Sequence, residues 1–199
     1  MNGMTEIRWH ARAGQGAKTA AQILALALLR TGKDVQAFPE YGPERRGAPL
    51  RAFTRVADRP IRRHDSVTDP DVVVVLEPSL VHEAGVADGL APEGFIVFNG
   101  EETPPELAGV DVRCIPAQRL ATTLGSAFVN MVMLGAVAAE LGEPPLAELQ
   151  EAAVETLGRK VAAADVRRAL SEGYAWLNCA PGRRCPLRAP CGPAERLAP

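Results

Sequence analysis

The chain has 199 residues, 47% of them hydrophobic, which is enough for one α/β domain with a single core. Its 22 basic and 24 acidic residues give a net charge of −2 and form no basic stripe, so we expect no nucleic-acid partner. There is no apolar run of about 18 residues and no secretory-signal pattern, which predicts a soluble, cytoplasmic protein without membrane contact.

The first part of the chain predicts a strand, a tight turn, a helix and a second strand. Residues 6–10 alternate in polarity, and a glycine-bearing turn follows them. Residues 17–30 repeat apolar side chains at helical spacing up to a stop at Gly32, before a short strand at residues 35–38. Residues 39–49 contain three prolines and two glycines, which predicts a long shaped loop.

The middle of the chain predicts most of a sheet. Residues 50–56 alternate, and with residues 60–63 they suggest an antiparallel excursion at the sheet edge. Residues 71–76 form a β-branched run, typical of a parallel strand buried on both faces under helices. Residues 95–99 and 110–115 predict two further short strands.

Helices dominate the chain after Pro116, and we expect them at residues 126–141, 146–157 and 161–176. Residues 179–199 are rich in Pro, Gly, Arg and Cys without periodicity and predict an irregular tail. The predicted fold class is therefore α/β: a Rossmann-like open, mostly parallel sheet with an antiparallel edge excursion and C-terminal helices. We divide the chain into a domain, residues 1–178, and a tail, residues 179–199.

The turn containing Gly14, Gln15 and Gly16 is the first candidate binding site. A glycine turn between a strand and a helix directs backbone N–H groups and the positive end of the helix at a phosphate or carboxylate. The same glycines are equally explained by close packing of the helix on the strand. The turn matches neither Walker A nor the full dinucleotide fingerprint. The second strand, predicted at residues 35–38, is followed by Pro39 and not by an acidic residue that could bind a ribose, which disfavours NAD binding.

A second candidate is the pair Arg45 and Arg46, which lies between Gly42 and Gly47 in the proline-stiffened loop. Guanidinium groups in such a loop can bind anions or form an interface. Adjacent arginines on a surface loop are also commonly only solvated, and the sequence leaves these alternatives unresolved.

Catalytic side chains are scarce. His10, His64 and His82 have no metal-site spacing, and the strand position of His10 favours a structural histidine. Glu77 follows a predicted strand at the edge where ligands of open α/β sheets bind, but a helix cap or a salt bridge would explain it as well. We assign no catalytic residue.

The cysteines do not predict a metal site. Cys114 lies alone in an apolar strand and is expected to be a core residue. Cys179, Cys185 and Cys191 each have five residues between neighbours, a spacing that fits neither ferredoxins nor a zinc knuckle. An incidental or oxidisable tail is the default interpretation, so we expect no metal bound by this chain.

Four segments, taken in order, resemble the gamma subunits of pyruvate and 2-ketoisovalerate:ferredoxin oxidoreductases. The arginine-bearing loop is the most specific of them, and the resemblance covers about residues 5–178. The segments are ARAGQGAKTA at residues 11–20, AFPEYGPERRGAPLR at residues 37–51, DVVVVLEP at residues 71–78 and NMVMLGA at residues 130–136.

The resemblance implies a subunit of a complex that oxidatively decarboxylates a 2-oxoacid, transfers the acyl group to coenzyme A and passes electrons through iron–sulfur clusters to ferredoxin. It implies that thiamine diphosphate and the clusters belong to alpha-, beta- and delta-type partner subunits, so this chain binds no cofactor alone. We expect Gly14, Gln15, Gly16, Arg45, Arg46 and Asn130 to contribute to assembly and to coenzyme A binding.

Three alternatives remain at this stage. The loop favours the pyruvate branch over the 2-oxoglutarate or indolepyruvate branches, but the oxoacid pocket would be built by other chains. A stand-alone nucleotide-binding module would need the acidic or Walker residues that the sequence lacks. A scaffold without ligand contact is also consistent with the sequence. An obligate subunit is expected to leave a large apolar face uncovered when the chain is isolated.

Overall fold

The computed structural model describes residues 3–40, 47–125, 128–158 and 161–178. These residues form one six-stranded sheet in the order β2-β3-β1-β4-β5-β6. The strands are β1 (Met4–Arg12), β2 (Asp34–Glu40), β3 (Pro49–Ala57), β4 (Val72–Val75), β5 (Phe95–Asn99) and β6 (Val112–Ile115). The helices are α1 (Ala17–Arg30), α2 (Ala117–Thr123), α3 (Val129–Leu141), α4 (Leu146–Leu157) and α5 (Ala163–Asn178).

The strand directions confirm the predicted fold class. β1, β4, β5 and β6 run parallel to one another, whereas β3 is antiparallel to both of its neighbours, β1 and β2. The proposed pairing within the antiparallel part was wrong: β3 pairs with β2, and residues 60–63 form no strand. β3 therefore lies inside the sheet and β2 forms its edge, because α1 carries the chain from β1 past the position that β3 later fills.

Helices cover one face of the sheet, which we call the helical face. Ile7 and Trp9 of β1 point to this face and are fully buried with Ile23 and Leu24 of α1. α3 is buried around its circumference and packs most extensively against α5. Within the described ranges, no helix is both long and apolar enough to cross a bilayer.

The opposite face is covered differently from the prediction. Val73, Val75 and Ile96 pack there against Leu80 and other side chains of the segments that follow β4 and β5. Those segments contain short 3-10 turns, Pro78–Val81 and Pro105–Leu107, and no α-helix among the described residues. β4 is thus buried on both faces as predicted, but by helices on only one of them.

Several predicted boundaries move by a few residues. The predicted helix over residues 126–141 begins at Val129, and a separate α2 precedes it. The last helix runs from Ala163 to Asn178 in place of residues 161–176. The predicted tail, residues 179–199, lies outside the described residues, so its division from the domain stays a prediction.

Candidate functional site

The turn after β1 has the backbone conformation that its glycines were expected to allow. Gly14 has φ 100° and Gly16 has φ 80°, both in the left-handed region. Gly16 precedes α1, whose first turn has no side-chain cap and no acidic residue. The positive end of this helix is therefore not neutralised by its own sequence.

Asn130 packs directly on this turn. Its Nδ2 atom donates to the Gly16 carbonyl at 3.3 Å. A Cβ atom at Gly16 would lie only 2.4 Å from that Nδ2, so any side chain at position 16 would displace the Asn130 amide as well as strain the backbone. The structure thus brings four of the six predicted site residues together: Gly14, Gln15, Gly16 and Asn130.

Gln15 is held by hydrogen bonds at both ends of its amide. Its Oε1 accepts from the Arg12 backbone N–H at 2.7 Å, and its Nε2 donates to Glu77 Oε2 at 2.6 Å. The side chain therefore joins the end of β1 to the residue that follows β4. This contact connects Gln15 to Glu77, whose role the sequence left open.

Glu77 both caps the Pro78–Val81 turn and lines a cavity. Its Oε1 accepts from the Ser79 hydroxyl at 2.9 Å and from the Ser79 backbone N–H at 3.3 Å. Burial by itself would raise the Glu77 pKa, but the hydrogen bonds from Gln15 and Ser79 and the nearby charge of Arg12 outweigh it, so the pKa is lowered. The carboxylate is ionised at neutral pH.

The cavity has a volume of about 940 Å³ and lies at the carboxyl end of the parallel strands, where ligands of open α/β sheets bind. Its walls come from the glycine turn, the residues after β4, β5 and β6, and the facing parts of α2 and α3. They include Gly14, Gln15, Gly16, Glu77, Asn99, Glu101, Gln118, Arg119, Thr122, Thr123 and Asn130.

The far wall of the cavity was not anticipated from the sequence. Arg119 pairs with Glu101 at 2.8 Å, and its guanidinium lies 5.7 Å from the Trp176 ring centroid. Asn99 is buried and satisfied, because it donates to the Leu76 carbonyl at 2.9 Å and accepts from the Gln118 N–H at 3.3 Å. These contacts join residues far apart in the chain, and no local pattern marks them.

Arg12 is another residue whose role was not predicted from the sequence. Its guanidinium donates to the Gly47 carbonyl at 3.3 Å, to Ser79 Oγ at 2.8 Å and to Glu83 at 2.6 Å. The neighbouring Ala13 N–H donates to the Ala48 carbonyl at 2.9 Å. These bonds anchor the end of the proline-rich loop beside the glycine turn. Arg45 and Arg46 themselves lie outside the described residues.

β2 extends to Glu40, so an acidic residue does close the second strand, contrary to the expectation. Its carboxylate is occupied, however: Arg51 Nη2 donates to Glu40 Oε1 at 3.0 Å. Glu40 lines a separate hollow of about 260 Å³ with Arg8 and Arg51. It lines a different hollow from the large cavity and is therefore not placed to bind a ribose there.

The remaining candidates are structural or lie outside the described ranges. His10 is buried and its Nε2 accepts from Arg8 Nε at 3.1 Å, as expected of a structural histidine. Cys114 is half-buried at the margin of the core and not fully inside it as expected, with its Sγ 3.6 Å from Thr103 Oγ1. No group of three or more potential metal ligands occurs in the described part of the chain. The tail cysteines Cys179, Cys185 and Cys191 lie beyond it.

Comparison with known proteins places this architecture in a family. The model of the pyruvate ferredoxin/flavodoxin oxidoreductase family matches residues 6–176. The chain belongs to that family. It is 46% identical to the pyruvate/ketoisovalerate oxidoreductases common subunit gamma of Thermococcus kodakarensis, over 81% of this chain and 93% of that protein. It is 46% identical to pyruvate synthase subunit PorC of Methanothermobacter thermautotrophicus, over 79% of this chain and 88% of that one.

Two solved structures have a similar fold. The crystal structure of pyruvate oxidoreductase subunit PORC from Thermotoga maritima superimposes with a TM-score of 0.74 at 35% identity, covering 87% of this chain and 96% of that chain. A 2-oxoglutarate:ferredoxin oxidoreductase from Magnetococcus marinus gives a TM-score of 0.74 at 22% identity, with 89% of this chain matching 31% of that longer chain. The second likeness concerns the fold alone.

Proposed function

We propose that this chain is the gamma subunit of a 2-oxoacid:ferredoxin oxidoreductase of the pyruvate type. Support comes from relatives at 42–46% identity that are gamma or PorC subunits and that the chain matches over 84–94% of their length. The complex oxidatively decarboxylates a 2-oxoacid, passes the acyl group to coenzyme A and transfers electrons to ferredoxin. We assign the complex to the cytoplasm.

In this proposal the redox chemistry belongs to the partner chains. The described residues offer no cluster of metal ligands, so nothing in them fits an iron–sulfur cluster or the metal that accompanies thiamine diphosphate. Alpha-, beta- and delta-type subunits would carry those groups. The gamma chain contributes to the structure of the complex and, at the carboxyl ends of its parallel strands, supplies a binding surface.

The cavity beside the glycine turn fits part of coenzyme A. Its volume of about 940 Å³ is in the range of small-molecule sites. The N-terminus of α1 has no acidic residue in its first turn, which suits an anionic group. We assign Gly14, Gln15, Gly16 and Asn130 to this wall of the site. When bound, coenzyme A supplies the thiol that accepts the acyl group.

The charges of the cavity support assigning the loop arginines to the coenzyme A site. The described walls contain the carboxylates of Glu77 and Glu101 and one guanidinium, that of Arg119, which already pairs with Glu101. Coenzyme A carries a pyrophosphate and a 3′-phosphate, so further cations must come from elsewhere. Arg45 and Arg46 belong to a loop that is followed by Gly47, and Arg12 anchors the Gly47 carbonyl beside the glycine turn.

Replacing Arg46 by Ala in the assembled complex tests this assignment. A charge-assisted contact between guanidinium and phosphate contributes roughly 1.5 to 3 kcal/mol, so the KM for coenzyme A should rise about tenfold to a hundredfold. Decarboxylation that does not need coenzyme A should be nearly unchanged. Arg59→Ala is the matched control. Arg59 is exposed just beyond β3, near the amino end of β1 and therefore at the end of the strands opposite to the cavity.

An interface role of the same loop predicts a different result. Arg45→Ala or Arg46→Ala would then loosen the complex, seen as salt-sensitive dissociation on gel filtration, while substrate constants in the intact fraction stay the same. If neither coenzyme A kinetics nor assembly changes in either variant, the loop is a solvated surface feature and both assignments fail.

A further inference from the structure

Glu77 is held in one orientation at the cavity wall. Ser79 donates twice to its Oε1, through the hydroxyl and the backbone N–H, and Gln15 donates once to its Oε2. Each carboxylate oxygen has two acceptor sites. Oε1 is therefore saturated, whereas Oε2 keeps one acceptor site for another donor.

The partners of Glu77 among the described residues are neutral. The nearby Arg12 lowers the pKa of Glu77, but the ion pair of Arg12 is with Glu83. Glu77 thus brings an ionised carboxylate to a cavity whose other carboxylate, Glu101, is paired with Arg119. A phosphate group beside Glu77 would be repelled, whereas a hydroxyl or N–H group would form a charge-assisted hydrogen bond.

Capping explains only part of this arrangement. A cap needs one oxygen to accept from the first N–H groups of the turn, which is what Oε1 does with Ser79. The bond from Gln15 to the other oxygen is not needed for the cap. Gln15 is in turn fixed by the Arg12 N–H, at 2.7 Å, so the end of β1 and the turn after it together orient Oε2.

We propose that Glu77 is a specificity-determining residue of the cavity, which accepts a hydrogen bond at Oε2 from a hydroxyl or N–H group of the ligand. Gln15 is a positioning residue that acts through Glu77. The inference rests on the proposed coenzyme A site and deepens it: the ligand presents an uncharged donor to the end of β4, and its phosphates lie away from Glu77, toward the N-terminus of α1 and the loop arginines.

Exchanging the two side chains separates the ligand role from the structural role. In the double variant Gln15→Glu/Glu77→Gln, residue 15 still accepts from the Arg12 N–H, and residue 77 still accepts from Ser79. The bond between the two side chains persists with its donor and acceptor exchanged. The acceptor at Oε2 is replaced by an N–H donor, which cannot receive a ligand hydroxyl or N–H.

The measurements are the urea unfolding midpoint of the full chain and the Kd of coenzyme A for the assembled complex by titration calorimetry. The single variant Glu77→Gln places two amide donors against each other, so it should lower the midpoint and weaken binding. The exchanged variant should recover the midpoint of the native chain while its Kd stays about tenfold weaker.

Recovery of both the midpoint and the Kd in the exchanged variant would overturn the inference, because Glu77 would then be only a cap. A lowered midpoint together with a weakened Kd in the exchanged variant would overturn it too, because Glu77 would then affect binding through the stability of the fold. Arg46→Ala distinguishes this failure from failure of the proposed function. If Arg46→Ala weakens coenzyme A binding and the exchanged variant does not, the coenzyme A site stands and only the role of Glu77 falls.

Discussion

At the scale of single residues, His10 occupies an unusual environment. It lies in β1, is 1% exposed, and accepts a hydrogen bond from Arg8. Burial, and then the charges of Arg8 and Arg51, lower its pKa from 6.5 to about 3. The folded chain therefore keeps His10 neutral at pH values where the unfolded chain protonates it.

This shift predicts a pH-dependent stability. Between pH 6.5 and about 3 the unfolded state binds one more proton than the folded state at this site, so the free energy of unfolding falls as the pH falls. One proton gives a slope of at most about 1.4 kcal/mol per pH unit. Urea unfolding at several pH values from about 7 to 5 measures the slope.

His10→Gln should reduce that slope, because a glutamine oxygen can still accept from Arg8 but does not titrate. His64→Gln is the control: His64 is exposed, and its replacement leaves His10 and therefore the slope in place. An equal slope in the native chain and in His10→Gln would show that other groups are responsible for the pH dependence.

At the scale of secondary structure, close contact between α3 and α5 depends on glycine. A Cβ atom on Gly173 would lie 1.8 Å from the Val132 carbonyl oxygen, and one on Gly135 would lie 2.1 Å from the Leu170 carbonyl oxygen. Both neighbours are backbone atoms of the facing helix. The two helices would have to separate to accommodate either side chain.

Gly173→Ala should therefore destabilise the chain by about 2 kcal/mol or more, even though alanine favours helix over glycine by about 1 kcal/mol. The urea unfolding midpoint measures this. The exposed neighbour Glu172→Ala should change stability by no more than about 0.5 kcal/mol. A Gly173→Ala variant as stable as the native chain would contradict the close packing described for α3 and α5.

Local patterns predicted the elements but not their arrangement. α1 was predicted at its observed bounds because its apolar spacing and the following glycine are local signals. The insertion of β3 between β2 and β1 was missed because strand order depends on contacts distant in sequence. Of the site, the glycine turn and the position of Glu77 could be predicted, whereas Arg12 and Arg119 could not, since their partners come from separate segments.

At the scale of the whole molecule, the surface indicates what kind of interface to expect. Among the described residues, the exposed large hydrophobic side chains are Leu29 at 53% and Trp176 at 39%. The edge strand β2 is half-buried along its length. The side chains of Leu29 and Trp176 do not form the extended apolar face that was expected of an obligate subunit, so docking of the described surface to partner subunits should rely substantially on polar contacts and on the sheet edge.

The proposed role of the whole molecule is that of a gamma chain that completes a coenzyme A site and leaves the redox chemistry to its partners. The most direct test is to capture this chain, with an affinity tag, under anaerobic conditions from the cells that produce it, and to assay pyruvate-driven reduction of ferredoxin. The account predicts reduction that requires coenzyme A, from a complex whose iron resides in the co-purified chains. A tagged chain that purifies alone, without that activity, would contradict it.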